Sequence, residues 1–150
     1  MQIGVVLPRP PDDLGEWLAD ATAFEAAGAD VLWIDPGPAA DPMVLVAALA
    51  ALTYRSLLVT APIEGAVPPL ALATVKRLSR DRFATGAEGD WEQWERVPPP
   101  EGRAAWRETL ADATGRGVPG LLVPADPRLL DLLRNPVDPG GRHDLHLAQG

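Results

Sequence analysis

The sequence has no cysteine, and of its thirteen basic residues only Lys76 is a lysine. The lack of cysteine excludes disulfides, thiolate metal ligands and thiol nucleophiles. The formal net charge of -8 at pH 7 argues against the clustered basic surface that nucleic acid or an anionic membrane requires. We therefore expect neither of those partners.

Long hydrophobic runs are also absent. The longest, from Met43 to Leu52, has about half of the roughly 20 residues that span a bilayer. The first ten residues, "MQIGVVLPRP", lack the basic start and small-residue cleavage site of a signal peptide. A chain of 150 residues is long enough for one core. We expect a single cytoplasmic domain.

Short apolar runs alternate with helical periodicity along the chain. This alternation predicts β-α units around a parallel sheet of five to six strands. Either a closed barrel or an open doubly wound sheet satisfies it, although "LPRPPDDLG" after the first run lacks the GxGxxG of a dinucleotide site. The predicted strands are Ile3–Leu7, Asp30–Asp35, Leu57–Ala61, "RFATG", Gly120–Pro124 and, as a possible sixth, "DLHLAQ".

Capping residues mark where the helices should begin and end. Asp12 or Asp13 can start the first helix, and Gly28 can end it in a left-handed turn. Asp41-Pro42 predicts the start of an apolar, deeply packed helix over Met43–Leu52. Further helices are predicted over Leu70–Leu78, around Trp106, Leu110 and Ala113, and from Asp126-Pro127 through Leu133.

Five segments, in order, resemble the bacterial luciferase-like family of flavin- and deazaflavin-dependent oxidoreductases, which are TIM barrels. They are "IGVVLP", "AFEAAGADVLWID", "DPMVLVAALAALTYRSLLVT", "PPLALATVKRLSRDRF" and "TGAEGDW". The resemblance covers residues 1–91, and residues 92–150 form a compressed, divergent remainder. A full eight-stranded barrel needs a longer chain. The resemblance therefore implies a truncated TIM-barrel-like (β/α) unit.

The resemblance implies a monooxygenase-type oxidoreductase that uses FMN or a deazaflavin coenzyme, with the site at the carboxyl ends of the strands. There Asp35 and Glu88 are the candidate catalytic carboxylates, since a raised pKa would suit either to proton transfer. Pro36 stands where deazaflavin users often have histidine. Asp35 can instead begin a turn with Pro36-Gly37. The candidate cofactor-binding residues are Pro8, Thr60, Ala61 and Gly86.

The stretch "GAEG" (residues 86–89) raises the question of a phosphate loop. No Lys or Ser follows it, and Glu88 and Asp90 would repel a phosphate. Glycine at a strand end would instead let a flat ring approach the backbone, or simply form a turn. The Thr60-Ala61 pair falls where the family carries a bulge, sometimes with a cis bond.

The pair His143 and His146 could suggest a metal site, but residues three apart on a strand point to opposite faces. We therefore predict no metal site. Trp91, Trp94 and Trp106 suit a ligand face, a dimer contact or the core. The alternative to an enzyme is a non-catalytic, shortened relative that acts as a binding or partner protein. Its uncovered sheet edges would favour a homodimer.

Overall fold

The computed structural model describes residues 1–136, which form an α/β fold with a six-stranded parallel sheet and five helices. The predicted α/β class is confirmed. The strands are β1 (Gln2–Val6), β2 (Val31–Ile34), β3 (Leu57–Thr60), β4 (Phe83–Thr85), β5 (Glu95–Arg96) and β6 (Gly120–Pro124). The helices are α1 (Leu14–Ala27), α2 (Pro42–Leu52), α3 (Pro69–Leu78), α4 (Arg103–Gly115) and α5 (Pro127–Arg134).

The strands lie in the order β4-β3-β2-β1-β6-β5. The steps from β1 to β4 run in one direction across the sheet, and the step from β5 to β6 runs in the same direction. Strand β6 then pairs with β1 along five residues, from Gln2 opposite Gly120 to Val6 opposite Pro124. Within the described residues the sheet is open, because β4 and β5 lie at its two edges.

The sequence analysis missed β5, which has only two residues and shows no periodicity. The segment predicted as the fifth strand is therefore β6, with the predicted bounds. The predicted strand "DLHLAQ" and both histidines lie outside the described residues. The two edge strands have three and two residues, and short edges offer little backbone for pairing with another chain. Covering exposed edges is thus a weak reason for self-association.

All five helices pack on one face of the sheet. Alternate strand residues such as Val5, Leu32 and Leu121 share one buried cluster with Trp17 of α1 and Trp106 of α4. The same cluster includes residues of α2, α3 and α5. A doubly wound sheet would have helices on both faces, so this arrangement differs from that alternative.

The second face of the sheet is covered by residues 86–94, here called the crossing segment, which lead from β4 to β5 at the opposite edge. Val31, Trp33, Val59 and Leu122 are buried on this face, with Trp91 and Trp94 packed against them. The ring centroids of Trp33 and Trp91 are 5.5 Å apart in an edge-to-face arrangement, and those of Trp91 and Trp94 are 5.2 Å apart. Trp91 and Trp94 therefore help to form the core of this face.

A polar network lies at the end of the sheet where the strands begin. The buried carboxylate of Glu25 accepts hydrogen bonds from the backbone N–H groups of Tyr54, Arg55 and Ser56 at 2.7–3.0 Å. The Arg82 guanidinium donates to the carbonyl oxygens of Thr53 and Ser56 at 2.8 and 2.7 Å. The "TYR" and "RDRF" segments that contribute to the family resemblance thus meet in one structural network.

The predicted helix caps are confirmed. Asp13 caps α1, while Gly28 ends it in the left-handed conformation at φ 109°. The Asp41 carboxylate accepts hydrogen bonds from the N–H groups of Met43 and Val44, and that of Asp126 accepts one from Arg128. Each of these carboxylates satisfies N–H groups that have no partner within their helix.

Candidate ligand cleft at the carboxyl ends of the strands

A cavity of about 540 Å³, here called the strand-end cleft, opens where β1, β2 and β3 end. This volume lies within the range of small-molecule sites. Prolines and Ile63 form the apolar part of its lining, and one arginine and two carboxylates contribute to the larger polar part. The lining residues are Arg9, Asp35, Pro36, Gly37, Pro38, Pro42, Ala61, Pro62, Ile63 and Glu64.

Asp35 lies in the cleft, but its carboxylate is held in a local turn. One oxygen accepts a hydrogen bond from the Gly37 N–H at 3.0 Å, and the other accepts one from Arg9 Nε at 3.0 Å. Both donors hold the pKa of Asp35 below its usual value, and the Gly37 N–H has a larger effect than Arg9. The expectation of a raised pKa is therefore wrong, because half-exposure offers little desolvation against these donors. The alternative of a turn at Pro36-Gly37 is observed.

Glu88 does not line the strand-end cleft. Its carboxylate accepts hydrogen bonds from the Thr85 N–H at 3.0 Å and from the Thr85 hydroxyl at 3.2 Å. These two bonds, the backbone one first, lower the pKa of Glu88, so a raised pKa is wrong here as well. Its backbone carbonyl accepts from the indole of Trp91 at 2.8 Å, which ties the turn to the crossing segment.

Gly86 lies behind the cleft, in close contact with an aromatic ring from its own chain. A Cβ at this position would lie 3.1 Å from the Trp33 indole, 3.0 Å from the Thr60 carbonyl oxygen and 3.2 Å from Pro62. The Gly86 N–H donates to that same carbonyl oxygen at 2.6 Å. In the structure, the ring that closely approaches this glycine is Trp33.

Thr60 and Ala61 end β3 and have different surroundings. Thr60 is fully buried, and its hydroxyl has no hydrogen-bond partner among the described residues. Ala61 lines the cleft, and its N–H donates to the Ile34 carbonyl at 2.8 Å. The peptide bond between them is trans. Of this pair, only Ala61 can contact a ligand in the cleft.

Pro8 follows β1 but does not line the strand-end cleft. Its carbonyl accepts a hydrogen bond from the Trp17 indole at 2.8 Å, which fixes the loop to α1. Pro8 borders a smaller crevice of about 150 Å³ beside Phe24 and Leu130. The candidate residues all follow strand ends, but the loops turn them into different surroundings.

The sequence analysis missed several lining residues, including Arg9 and Glu64. Arg9 lies three residues beyond β1 and Glu64 four beyond β3, whereas the rule that sites lie at the carboxyl ends of strands was applied to those ends themselves. Two signals were available: Arg9 is the first cation after β1, and Pro62 stiffens the loop after β3. Extending the rule into each loop would have found them.

Carboxylates outnumber cationic groups around the carboxyl ends of the strands. Arg9 pairs with Asp35 inside the cleft, and Glu64 adds a second negative charge. Where α1, α2 and α5 begin, Asp13, Asp41 and Asp126 already accept the N–H hydrogen bonds of the first turn. These helix starts therefore present carboxylates where a phosphate would otherwise bind.

Comparison of the chain with protein-family models, curated proteins and solved structures finds no match. Among residues 1–136, no group of three or more His, Asp or Glu side chains could hold a metal ion. None of the helices in that range combines the length and apolarity needed to cross a membrane. The strand-end cleft is the candidate site that the described residues form.

Proposed function

We propose that the protein is a shortened luciferase-like relative that binds a flat, flavin-type ring in the strand-end cleft. The observation that supports this most directly is the cleft itself, which lies at the carboxyl ends of three parallel strands and has prolines and Ile63 beside its polar lining. Ligands of parallel β/α folds bind at this edge. Prolines resist collapse into an empty space, so a lining of this kind suits a flat ring.

The strand order supports a truncated barrel. A closed barrel cut open between two strands would show one direction of winding, all helices on one face, and its last strand beside its first. The described chain has all three features, with β6 beside β1. On this proposal, the crossing segment replaces the missing strands and fills the inner face with tryptophan.

The ring and the phosphate of a flavin cofactor fit the cleft differently. A flavin ring supplies hydride or oxygen chemistry when bound, and Ala61, Ile63 and Pro62 offer it an apolar surface. The phosphate of FMN or of a deazaflavin coenzyme does not fit. Arg9 is already paired with Asp35, Glu64 is negative, and aspartates cap the nearby helix starts.

Asp35 and Glu88 do not suit general acid–base catalysis near neutral pH. Both have a lowered pKa and accept hydrogen bonds from their own turns. A carboxylic acid that exchanges protons near neutral pH needs the opposite shift. We therefore propose ring binding in the cytoplasm as the function, and assign any redox turnover to the cofactor alone.

The test compares riboflavin, which has the ring without the phosphate, with FMN and the deazaflavin coenzyme. Flavin fluorescence titration should show saturable binding of riboflavin that is at least as tight as that of FMN. Ala61→Trp should abolish it by filling the cleft, whereas Ala111→Trp on the exposed side of α4 should leave it unchanged.

Two results would count against the proposal. Absence of saturable riboflavin binding below about 1 mM would remove the ring site. FMN binding much tighter than riboflavin would mean that a phosphate site exists and that the charge argument is incorrect.

A further inference from the structure

Arg9 is the one cationic residue among the described residues that line the strand-end cleft. Its side chain is 67% exposed. Its Nε donates a hydrogen bond to the Asp35 carboxylate at 3.0 Å, whereas its two Nη groups donate to no other described residue. A guanidinium carries N–H donors on all three nitrogens, in one plane. The donors on the two Nη groups are therefore left for a ligand.

Two contacts hold the Arg9 guanidinium in place. The Asp35 carboxylate that accepts from Nε is itself fixed, because its other oxygen accepts from the Gly37 N–H at 3.0 Å. The aliphatic stem of Arg9 lies over Gly37, where a Cβ would be 3.2 Å from Arg9 Cδ and 3.4 Å from Nε. A side chain that is already anchored loses less conformational entropy when it binds a ligand.

The unused end of the guanidinium limits the kinds of ligand that fit it. Its two Nη groups form a fork of parallel N–H donors, which matches a flat group with two acceptors side by side. A carboxylate is one such group. The other is the edge of a heterocyclic ring that has a carbonyl oxygen beside a ring nitrogen, as in the pairing of arginine with guanine.

The charge of the cleft decides between these two groups. Arg9 is opposed by Asp35, and Glu64 adds a negative charge that forms no ion pair with another described residue. The three side chains together carry a net negative charge. A carboxylate ligand would be repelled by Glu64 and would compete with Asp35 for Arg9, whereas a neutral carbonyl edge needs only the donors.

From these contacts we infer that the strand-end cleft is specific for flat rings with a carbonyl oxygen beside a ring nitrogen, and that the Nη groups of Arg9 bind this edge. Isoalloxazines, deazaflavins and alloxazines all have such an edge. Asp35 is a positioning residue that acts through Arg9. This specificity rests on the proposed ring site and adds to it the class of ring and the residue that selects it.

Three tricyclic compounds of similar size test the class of ring. Alloxazine is neutral and has the carbonyl edge, phenazine is neutral and lacks it, and phenazine-1-carboxylate carries an anionic carboxylate instead. Each competes with riboflavin in a titration followed by flavin fluorescence. The dissociation constant of alloxazine should be at least about tenfold lower than those of both phenazines, because only alloxazine is a neutral acceptor for the charged donors.

Variants of Arg9 test the residue that selects the ring. Arg9→Gln should weaken alloxazine binding about tenfold and leave phenazine binding unchanged, since phenazine does not use the Nη donors. Arg9→Lys keeps the charge without the fork and should recover only part of the loss. Arg77→Gln, exposed on α3 outside the cleft, makes the same change in net charge and should alter neither affinity. All three variants should unfold close to the wild-type urea midpoint, because these side chains are exposed.

A double-mutant cycle tests the role of Asp35. Asp35→Ala releases Arg9 Nε and should weaken alloxazine binding about threefold, because the guanidinium must then be ordered by the ligand. In the Arg9→Gln background the same substitution should have no further effect. Additive losses would mean that Asp35 contacts the ring directly and would overturn its positioning role.

The remaining outcomes separate this specificity from the proposed function. Saturable binding of alloxazine and phenazine with equal affinity would overturn the specificity and leave the ring site intact. Tighter binding of phenazine-1-carboxylate than of alloxazine would make Arg9 an anion site and would also overturn it. An Arg9→Gln variant that weakens both neutral rings equally would show that Arg9 does not bind the carbonyl edge. Absence of binding by riboflavin and all three compounds would overturn the ring site itself.

Discussion

At the scale of single residues, hydrogen bonding decides what the carboxylates of this protein do. Asp35, Glu88 and Glu25 all accept backbone N–H hydrogen bonds, from one donor in the first two and from three in the last. Each such donor favours the ionised form. Asp35 and Glu88, the candidate catalytic carboxylates, instead stabilise turns. Glu25, at the end of the sheet where the strands begin, accepts the most backbone hydrogen bonds of the three.

Glu25→Gln should lower the free energy of unfolding by about 1.5–3 kcal/mol at pH 7, because an ionised acceptor of three hydrogen bonds is lost. Burial raises the pKa of Glu25, but the N–H groups of Ser56, Arg55 and Tyr54 outweigh it and hold the pKa below 4.5. The stabilisation is therefore complete above pH 4.5 and is lost as the pH falls through the lowered pKa.

Urea unfolding between pH 7 and about pH 3 measures this effect. The difference between wild type and Glu25→Gln should shrink on acidification. Glu16→Gln, exposed on the same helix, serves as the control and should change stability little at any pH. A difference that stays constant with pH would mean that the ionised carboxylate is not responsible.

At the scale of elements, the aspartates that cap the helices both stabilise them and place negative charge beside the cleft. Asp41 begins α2 and accepts hydrogen bonds from the N–H groups of Met43 and Val44 at 2.8 and 3.1 Å. The residue after it, Pro42, lines the cleft. Because the carboxylate occupies the N–H groups, the helix start is closed to an anionic ligand.

Asp41→Ala should destabilise the protein by about 1 kcal/mol, since two N–H groups lose their acceptor. Asp41→Asn should retain most of the stability, because its side-chain oxygen can still accept. Thermal and urea unfolding of the two variants at pH 7 measure the difference. Equal losses in both would indicate that the charge, rather than the hydrogen bond, stabilises α2.

At the scale of the whole molecule, the crossing segment covers a face of the sheet that none of the five described α-helices covers. Gly120 makes room for the Trp94 indole there, because a Cβ on Gly120 would lie 2.5 Å from the ring. Arg96 lies over Trp33, 5.2 Å from the ring centroid. The two faces of the sheet are therefore closed by different means, one by helices and the other by tryptophan.

Gly120→Ala should lower the free energy of unfolding by about 1–3 kcal/mol, since the Trp94 ring must shift to admit the new methyl group. Gly115→Ala, which meets open space at the end of α4, is the matched control and should be neutral or slightly stabilising. In a double-mutant cycle, Trp94→Ala should remove most of the penalty of Gly120→Ala. Additive losses would show that the ring does not limit this position.

Local signals in the sequence determined most of the elements. Three caps, at Asp41, Asp126 and Gly28, act within a few residues of their own helix, and the apolar run at Gly120–Pro124 is a strand at the predicted bounds. Each depends on neighbouring residues alone, so single-sequence reasoning could predict it. Strand β5 has too few residues to produce a periodic signal and was missed.

Only the tertiary structure decided which residues meet. Asp35, Glu88, Gly86 and Pro8 all lie near strand ends, yet only Asp35 lines the cleft, because loop conformation directs each side chain. Whether helices lie on one face or two depends on the order of the strands, and β-α alternation is compatible with both. The sequence by itself determined the elements through short-range hydrogen bonds and periodicity. Contacts between residues distant along the chain decided the cleft and the tryptophan-covered face.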